Sequence, residues 1–422
     1  MKKKSIQVNQ LARVEGEGAF TLHFDATGRA QAYLNVFEAP RLFEGFLKGR
    51  HFTEVPDLTA RICGICPVAH QIGAAVAIEN SCGVSVAPGA DMLRRIMLCG
   101  EWIESHALHV YLLHAPDYLK CTDGFGLAGA TGDSRILERG LRLKKVGNDI
   151  VARIGGREIH PVNLRVGGFY RAPSSFDLAP LADRLKWALE AACETVRWVA
   201  GLEYPEFDRE YTYVALSVPG AYPMFGDRLV SNRGLDVGTG DFERHFQPRQ
   251  VPQSTALFYC LSGSQSLITG PLARFNIGAN HLSPAAERVA SENGLTVPCC
   301  NPFKSILVRS VELVHACETA LNLVRTYRPD ELTNDSIAVV SAVGHGAVEA
   351  PRGVLYHRYE LDGTGRVASA RIVTPTALNL AAAQEDLKGL ARQYGGLPRK
   401  ELTCLCEQAI RNYDPCISCA TH

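Results

Sequence analysis

Two Cys-x-x-Cys pairs stand at opposite ends of this 422-residue chain, each followed within four residues by a histidine. The first lies in Arg61-Ile62-Cys63-Gly64-Ile65-Cys66-Pro67-Val68-Ala69-His70; the second is Asp414-Pro415-Cys416-Ile417-Ser418-Cys419, closed by His422. A Cys-x-x-Cys turn aims two thiolates at one point, because cysteine-to-metal bonds are ~2.3 Å long and the intervening residues turn tightly. A fold that joins both pairs makes a soft tetrahedral pocket, suited to zinc, iron-sulfur or a nickel-type centre rather than a hard, oxygen-loving ion.

Composition narrows the setting. With 44 Lys+Arg against 44 Asp+Glu, the formal charge is zero, which speaks against nucleic acid as a partner. Met1-Lys2-Lys3-Lys4 runs into polar Ser5 and Gln7, and no apolar run of ~18 residues follows, so neither a secretory signal nor a membrane span is expected. A cytoplasmic setting follows as the default, and there the fourteen cysteines read as reduced thiols and metal ligands.

Along the chain, 5–10, 19–25 and 29–37 predict short antiparallel strands broken by glycines, an N-terminal β region of about 1–40. Arg13-Val14-Glu15-Gly16 lies inside it, and from spacing alone Glu15 is a solvated turn carboxylate. A short helix is expected over 41–50, carrying Glu44. Further helices are expected over 68–78, 91–113, 178–202, 283–292, 302–326, 381–394 and 399–412. The helix at 68–78 would bring its positive end to Cys63 and Cys66 and favour thiolate. His106, His109 and His114 read as structural histidines. The glycine-rich stretches 154–161 and 166–168 match no phosphate-binding loop, so a nucleotide site is unsupported. Residues 211–250 read as irregular chain with small strands, and strands are expected over 336–342, 353–361 and 367–373. The turn between the first two would present Arg352 rigidly, because Pro351 fixes φ and Gly353 allows close approach.

Cys404 and Cys406 are too close for the two-residue spacing, and Cys299 and Cys300 are adjacent. Cys82, Cys99, Cys121, Cys193, Cys260 and Cys317 fall in mostly apolar settings, where a free thiol acts as a small hydrophobe. For the quartet, a structural zinc knot, a thiol-disulfide enzyme and a redox metal centre compete. The cysteines lack a thioredoxin-like context, and a zinc knot leaves His70, Asp414 and His422 unexplained.

Arg-x-Cys-Gly-x-Cys-x-x-x-His early and Asp-Pro-Cys-x-x-Cys-x-x-His at the end resemble the large, catalytic subunit of nickel-iron hydrogenases. The resemblance includes Arg13-Val14-Glu15-Gly16, Gly270-Pro271-Leu272-Ala273-Arg274 and Ala350-Pro351-Arg352-Gly353, and so spans the chain. It implies an α+β, predominantly helical fold: a central helical bundle with small peripheral β-sheets, in one domain over 1–422, with the helical core and its β insertions over about 41–422.

It also implies roles. Cys63, Cys66, Cys416 and Cys419 would hold nickel, with Cys66 and Cys419 bridging to an iron that bears cyanide and carbon monoxide. Arg352 would lie over the metals as a cation or base, and Pro351 before it would line the cofactor site. Thr376 would hydrogen-bond a cyanide, and His70 would donate to a ligand thiolate. Asp414 would orient Arg352 or the nearby backbone. Glu15 would be the proton gate beside Cys416. Glu44, the Ile372 carbonyl and His422 would hold Mg2+ or a similar divalent ion. Splitting dihydrogen needs a Lewis-acidic metal and a nearby base, for which Cys416 and Arg352 are the candidates.

The implied partners are a small subunit carrying iron-sulfur clusters, since this chain has no further cysteine set for them, and flavin/NAD(P)- or ferredoxin-linked electron-transfer subunits. The compact length resembles the cytosolic, multimeric branch. In most of the family an extension after the final histidine is removed by a maturation endopeptidase once a nickel chaperone has acted; an end at His422 fits either a processed form or a member made without the extension. A hydrogen sensor and an energy-converting membrane-complex relative are the alternatives. The quinone-site subunit that shares the fold lacks the cysteines.

Overall fold

The computed structural model describes residues 5–25, 27, 29–329, 337–339 and 341–422. β1 (Ser5–Val8), β2 (Gly18–Phe24) and β3 (Ala30–Val36) form an antiparallel sheet, with Ser5 opposite His23 and Gly18 opposite Val36. In β3 every second residue is buried, the period of a strand with one face on a core. After the short α1 (Phe43–Leu47), α2 (Pro67–Cys82) is buried almost all round, as expected of a helix apolar on every side.

α3 (Pro88–Ala107) runs into a π-helical stretch at Leu108–His114. α4 (Ser134–Gly155) is a 22-residue helix that the sequence reading passed over, because Gly140 and Gly147 look like breakers. They are close-approach points instead: a Cβ on Gly147 would stand 2.5 Å from the Glu104 backbone nitrogen. α4, α5 (Ser175–Ala200) and α7 (Ser305–Thr326) pack with α2 and α3 into the helical core, and α6 (Pro271–Gly278) lies against α7.

A second apolar cluster joins the N-terminal sheet to a hairpin sheet and two later helices. β4 (Ala342–Ala350), β5 (Gly353–Leu361) and β6 (Val367–Val373) are antiparallel neighbours, with Ala350 paired to Gly353. The strand expected over 336–342 therefore begins where it was expected to end; Ser336 and Val340 lie outside the described residues. α8 (Pro375–Gln393) starts earlier than expected, taking Thr376 and Asn379 into its first turns, and α9 (Arg399–Arg411) leads to α10 (Ile417–Ala420). The region 211–250 holds small strands at Val214–Ser217, Arg228–Ser231 and Asp236–Gly238. No helix among the described residues is long and apolar enough to cross a membrane.

Candidate metal centre

α2 begins at Pro67 with Cys66 as its cap, and α10 begins at Ile417 with Cys416 as its cap. Proline has no N–H to waste at the first turn of α2, and the helix points its positive end toward the first cysteine pair. Glu101 from α3 accepts the Val68 N–H at 2.6 Å and the Ala69 N–H at 3.2 Å, which fixes α2 from below. The second loop turns at Asp414, whose φ of 49° is unusual for a residue with a side chain.

These turns bring the four sulfurs together. All lie within 4.8 Å of one another and all four cysteines are buried. Cys63 Sγ is 3.5 Å from Cys416 Sγ, Cys66 Sγ 3.5 Å from Cys419 Sγ, and Cys416 Sγ 2.6 Å from Cys419 Sγ. Bonds of ~2.3 Å to one ion put tetrahedral sulfurs roughly 3.8 Å apart; the two 3.5 Å pairs lie near that spacing, and a bound soft cation would open the Cys416–Cys419 pair toward it. By themselves the sulfurs do not all ionise. Hydrogen bonding, first from Cys416, holds Cys63 well below the usual thiol range, whereas burial pushes Cys416 well up and Cys419 to about 11. A bound cation would discharge the remaining protons. Among the described residues no other group of three or more His, Cys, Asp and Glu converges in this way.

Arg352 sits in the tight turn between β4 and β5, almost wholly buried. Its Nε donates to the Asp414 carbonyl at 2.7 Å, its Nη2 to Asp414 Oδ1 at 3.1 Å and its Nη1 to Ser105 Oγ at 3.4 Å. Burial opposes the charge, but Asp414 and then the nearby cysteines Cys416, Cys66 and Cys63 outweigh burial and hold the guanidinium well above its ordinary value. An arginine so firmly charged is a fixed cation, and this speaks against the role of base.

Thr376 Oγ1 accepts the Cys416 N–H at 3.0 Å, which leaves its own proton to donate. Glu15 reaches the site through backbone and side chain: its carbonyl accepts from Ile417 N–H at 3.0 Å and its Oε2 from Ser418 N–H at 3.1 Å. Gly16 makes this approach feasible, since with φ of 85° a Cβ there would stand 2.7 Å from Ile417 Cβ. Glu15 is half-buried, between the enclosed sulfurs and the surface.

His70 departs from expectation. It is fully buried, but neither ring nitrogen has a hydrogen-bond partner, so the donor bond to a ligand thiolate is not made; its ring meets His357 edge-on at 5.5 Å. Burial lowers its pKa to about 3, so the ring is neutral. The Pro351 carbonyl accepts from Arg274 at 3.0 Å. Of the structural histidines, His106 bonds Glu312 at 3.0 Å and His109 the Arg411 carbonyl at 2.8 Å.

Glu44, Ile372 and His422 also meet. Glu44 Oε1 accepts the Ile372 N–H at 2.7 Å and lies 4.0 Å from His422 Nε2, which is 2.9 Å from the Ile372 carbonyl. The other nitrogen of His422 faces the Cys419 carbonyl at 2.6 Å. A neutral imidazole has one N–H, so one of its two nitrogens meets an oxygen with a lone pair. Burial lowers the pKa of His422 and so favours that neutral ring. A divalent ion among these atoms would remove the conflict, and they line a cavity of about 290 Å³ with room for the waters that magnesium keeps.

Four further residues escaped the sequence reading. Glu101 and Ser105 are buried on α3 together with other polar residues, Arg94, Glu104 and His106, so polarity alone did not single them out. Arg309 lies 3.7 Å from Asp414 Oδ2. Arg41 Nη2 donates to the Ile62 carbonyl at 2.7 Å and also to the Ser418 carbonyl, clasping both cysteine loops; no local pattern marked it.

A nickel-dependent hydrogenase family model matches residues 41–128 and 264–422. The chain is 33% identical to sulfhydrogenase 2 subunit alpha of Pyrococcus furiosus, over 99% of this chain and 98% of that one. It is 26% identical to the NAD-reducing hydrogenase HoxS subunit beta of Cupriavidus necator, over 99% and 95%. A crystal structure of an NAD+-reducing NiFe hydrogenase in the H2-reduced state superimposes with a TM-score of 0.89 at 26% identity, covering 99% of both chains.

Proposed function

This chain belongs to the nickel-dependent hydrogenase family as a catalytic subunit, and we propose that it splits dihydrogen reversibly at a centre held by Cys63, Cys66, Cys416 and Cys419. The observation that carries the reading is the buried four-sulfur pocket with the Arg352 cation beside it. When bound, a nickel-iron centre supplies a Lewis acid that polarises dihydrogen and an acceptor for its electrons.

The chain's own residues supply the rest. Cys66 and Cys419, paired at 3.5 Å, would hold the iron as well as the nickel, an iron carrying cyanide and carbon monoxide, and Cys63 and Cys416 would hold the nickel. Thr376, whose Oγ1 accepts the Cys416 N–H, would donate its hydroxyl proton to a cyanide. Arg352, oriented by Asp414, offsets the negative charge of the sulfurs and shapes the face dihydrogen reaches. Cys416 Sγ takes the proton, and Glu15, bonded to the backbone two residues on, carries it toward the surface. Glu44, the Ile372 carbonyl and His422 would hold Mg2+.

Electrons leave to an iron-sulfur small subunit and from there to a soluble carrier such as NAD(P) or ferredoxin. The names of the relatives, subunits of a sulfhydrogenase and of an NAD-reducing hydrogenase, support that assignment, and with it a cytoplasmic enzyme in which residues 1–422 work as one domain. Metal analysis of the purified complex tests the reading: nickel and iron in near equal amounts, infrared bands of cyanide and carbon monoxide, and hydrogen-dependent reduction of a viologen dye only with the small subunit present. Stoichiometric zinc without those bands would sink it.

A further inference from the structure

The segment Gly270-Pro271-Leu272-Ala273-Arg274 has no part in the site described above, yet its arginine is the most fully engaged buried charge near it. Arg274 has no exposed surface, and all five of its N–H donors are used. Nε and Nη2 each bond a Glu312 oxygen at 2.7 Å. Nη1 reaches Glu349 Oε2 at 2.8 Å and the Ala350 carbonyl at 3.0 Å, and Nη2 also reaches the Pro351 carbonyl at 3.0 Å. The guanidinium stacks 4.3 Å over Trp102, and Glu312 is itself held by Tyr222 Oη at 2.7 Å and by His106.

A buried ion cluster of this kind adds little net stability compared with apolar packing, because desolvation consumes the Coulombic gain. What it offers is a fixed position. Two of the five bonds end on the carbonyls immediately before Arg352, and the start of the same segment is moulded to the turn. A Cβ on Gly270 would stand 2.4 Å from the Arg352 carbonyl, and one on Gly353 would stand 2.6 Å from the Gly270 nitrogen. Thr269 Oγ1 accepts the Val354 N–H at 2.9 Å.

We propose that Arg274 is a positioning residue for Arg352: by holding the Ala350 and Pro351 carbonyls it fixes the turn from which the Arg352 guanidinium reaches Asp414, two residues before Cys416. Arg274 touches neither substrate nor metal. The inference rests on the reading of Arg352 as the cation of the catalytic site, and the test separates the two.

The full complex would be prepared as Arg274→Lys, Arg352→Lys and the double variant, with nickel content measured in each. Lysine keeps the charge but cannot span two carboxylates and two carbonyls. Arg274→Lys is expected to lower hydrogen-dependent dye reduction by roughly 10- to 100-fold at unchanged KM, and to add less than about 2-fold in the Arg352→Lys background. Amide hydrogen exchange in the peptide spanning 348–356 is expected to speed up while the flanking strands stay protected. Losses that multiply in the double variant, or unchanged exchange in that peptide, overturn the role of Arg274. Full turnover in Arg352→Lys overturns the reading beneath it instead. Should Arg274→Lys fail to accumulate with metal, Tyr222→Phe loosens Glu312 more gently. It is expected to cost about 2- to 5-fold in the parent and nothing in Arg352→Lys; an equal cost in both overturns the proposal.

Discussion

Glu15 is placed by its backbone more than by its side chain, and that separates its two contributions. The Ile417 N–H bonds its carbonyl, a bond that no substitution of the side chain removes, while Ser418 N–H needs only an acceptor that glutamine also has. Glu15→Gln should therefore keep the loop against Cys416 and retain nickel and iron, but lose the proton. Exchange of D2 with solvent protons, followed by mass spectrometry, is expected to slow by roughly 10²- to 10⁴-fold, the usual worth of a positioned acid or base. Unchanged exchange rejects the relay. At this scale the sequence was legible where covalent spacing does the work: the cysteines had to converge once their pairs met. It was silent on Arg41, whose two carbonyl partners come from loops that only the fold brings together.

Single elements carry a second kind of constraint, in which a titratable group is fixed in one protonation state. His315 on α7 is buried, and its Nδ1 accepts the Ser283 N–H at 3.0 Å, so the ring must stay unprotonated there. Burial, helped by Arg274 and opposed by Glu312, lowers its pKa from 6.5 to about 4. A folded value below the unfolded one means that the unfolded chain takes the proton first. The stability contribution is complete above about pH 6.5 and is lost as pH falls toward 4, by about 3 kcal/mol in all. The melting temperature should thus fall less between pH 7 and 4.5 in His315→Gln, whose carbonyl can accept the same bond, than in the parent; parallel falls reject the assignment. Elements were legible where apolar residues recur strongly, as in α5 and α7. α4 was not, because its glycines serve packing against Glu104 and Tyr111, and a helix interior cannot announce from sequence alone that a neighbour comes so close.

For the molecule as a whole, the Glu44 cluster ties together three parts of the chain that share no local sequence: α1, the end of β6 and His422, two residues beyond α10. Arg371 Nη1, 3.6 Å from Glu44 Oε2, supplies some positive charge but leaves the conflict at His422 in place. If a divalent ion resolves it, the ion stabilises the folded chain by mass action, about 2.7 kcal/mol at a hundredfold excess over its Kd. The chelator EDTA should then lower the melting temperature of the complex, and added Mg2+ should restore it. Nickel content should not change, because all four cysteines are at most 4% exposed. Glu44→Gln should melt low from the start and ignore both reagents. A parent complex indifferent to EDTA would mean that Glu44, Ile372 and His422 hold the C-terminal segment by hydrogen bonds alone, with His422 charged despite its burial.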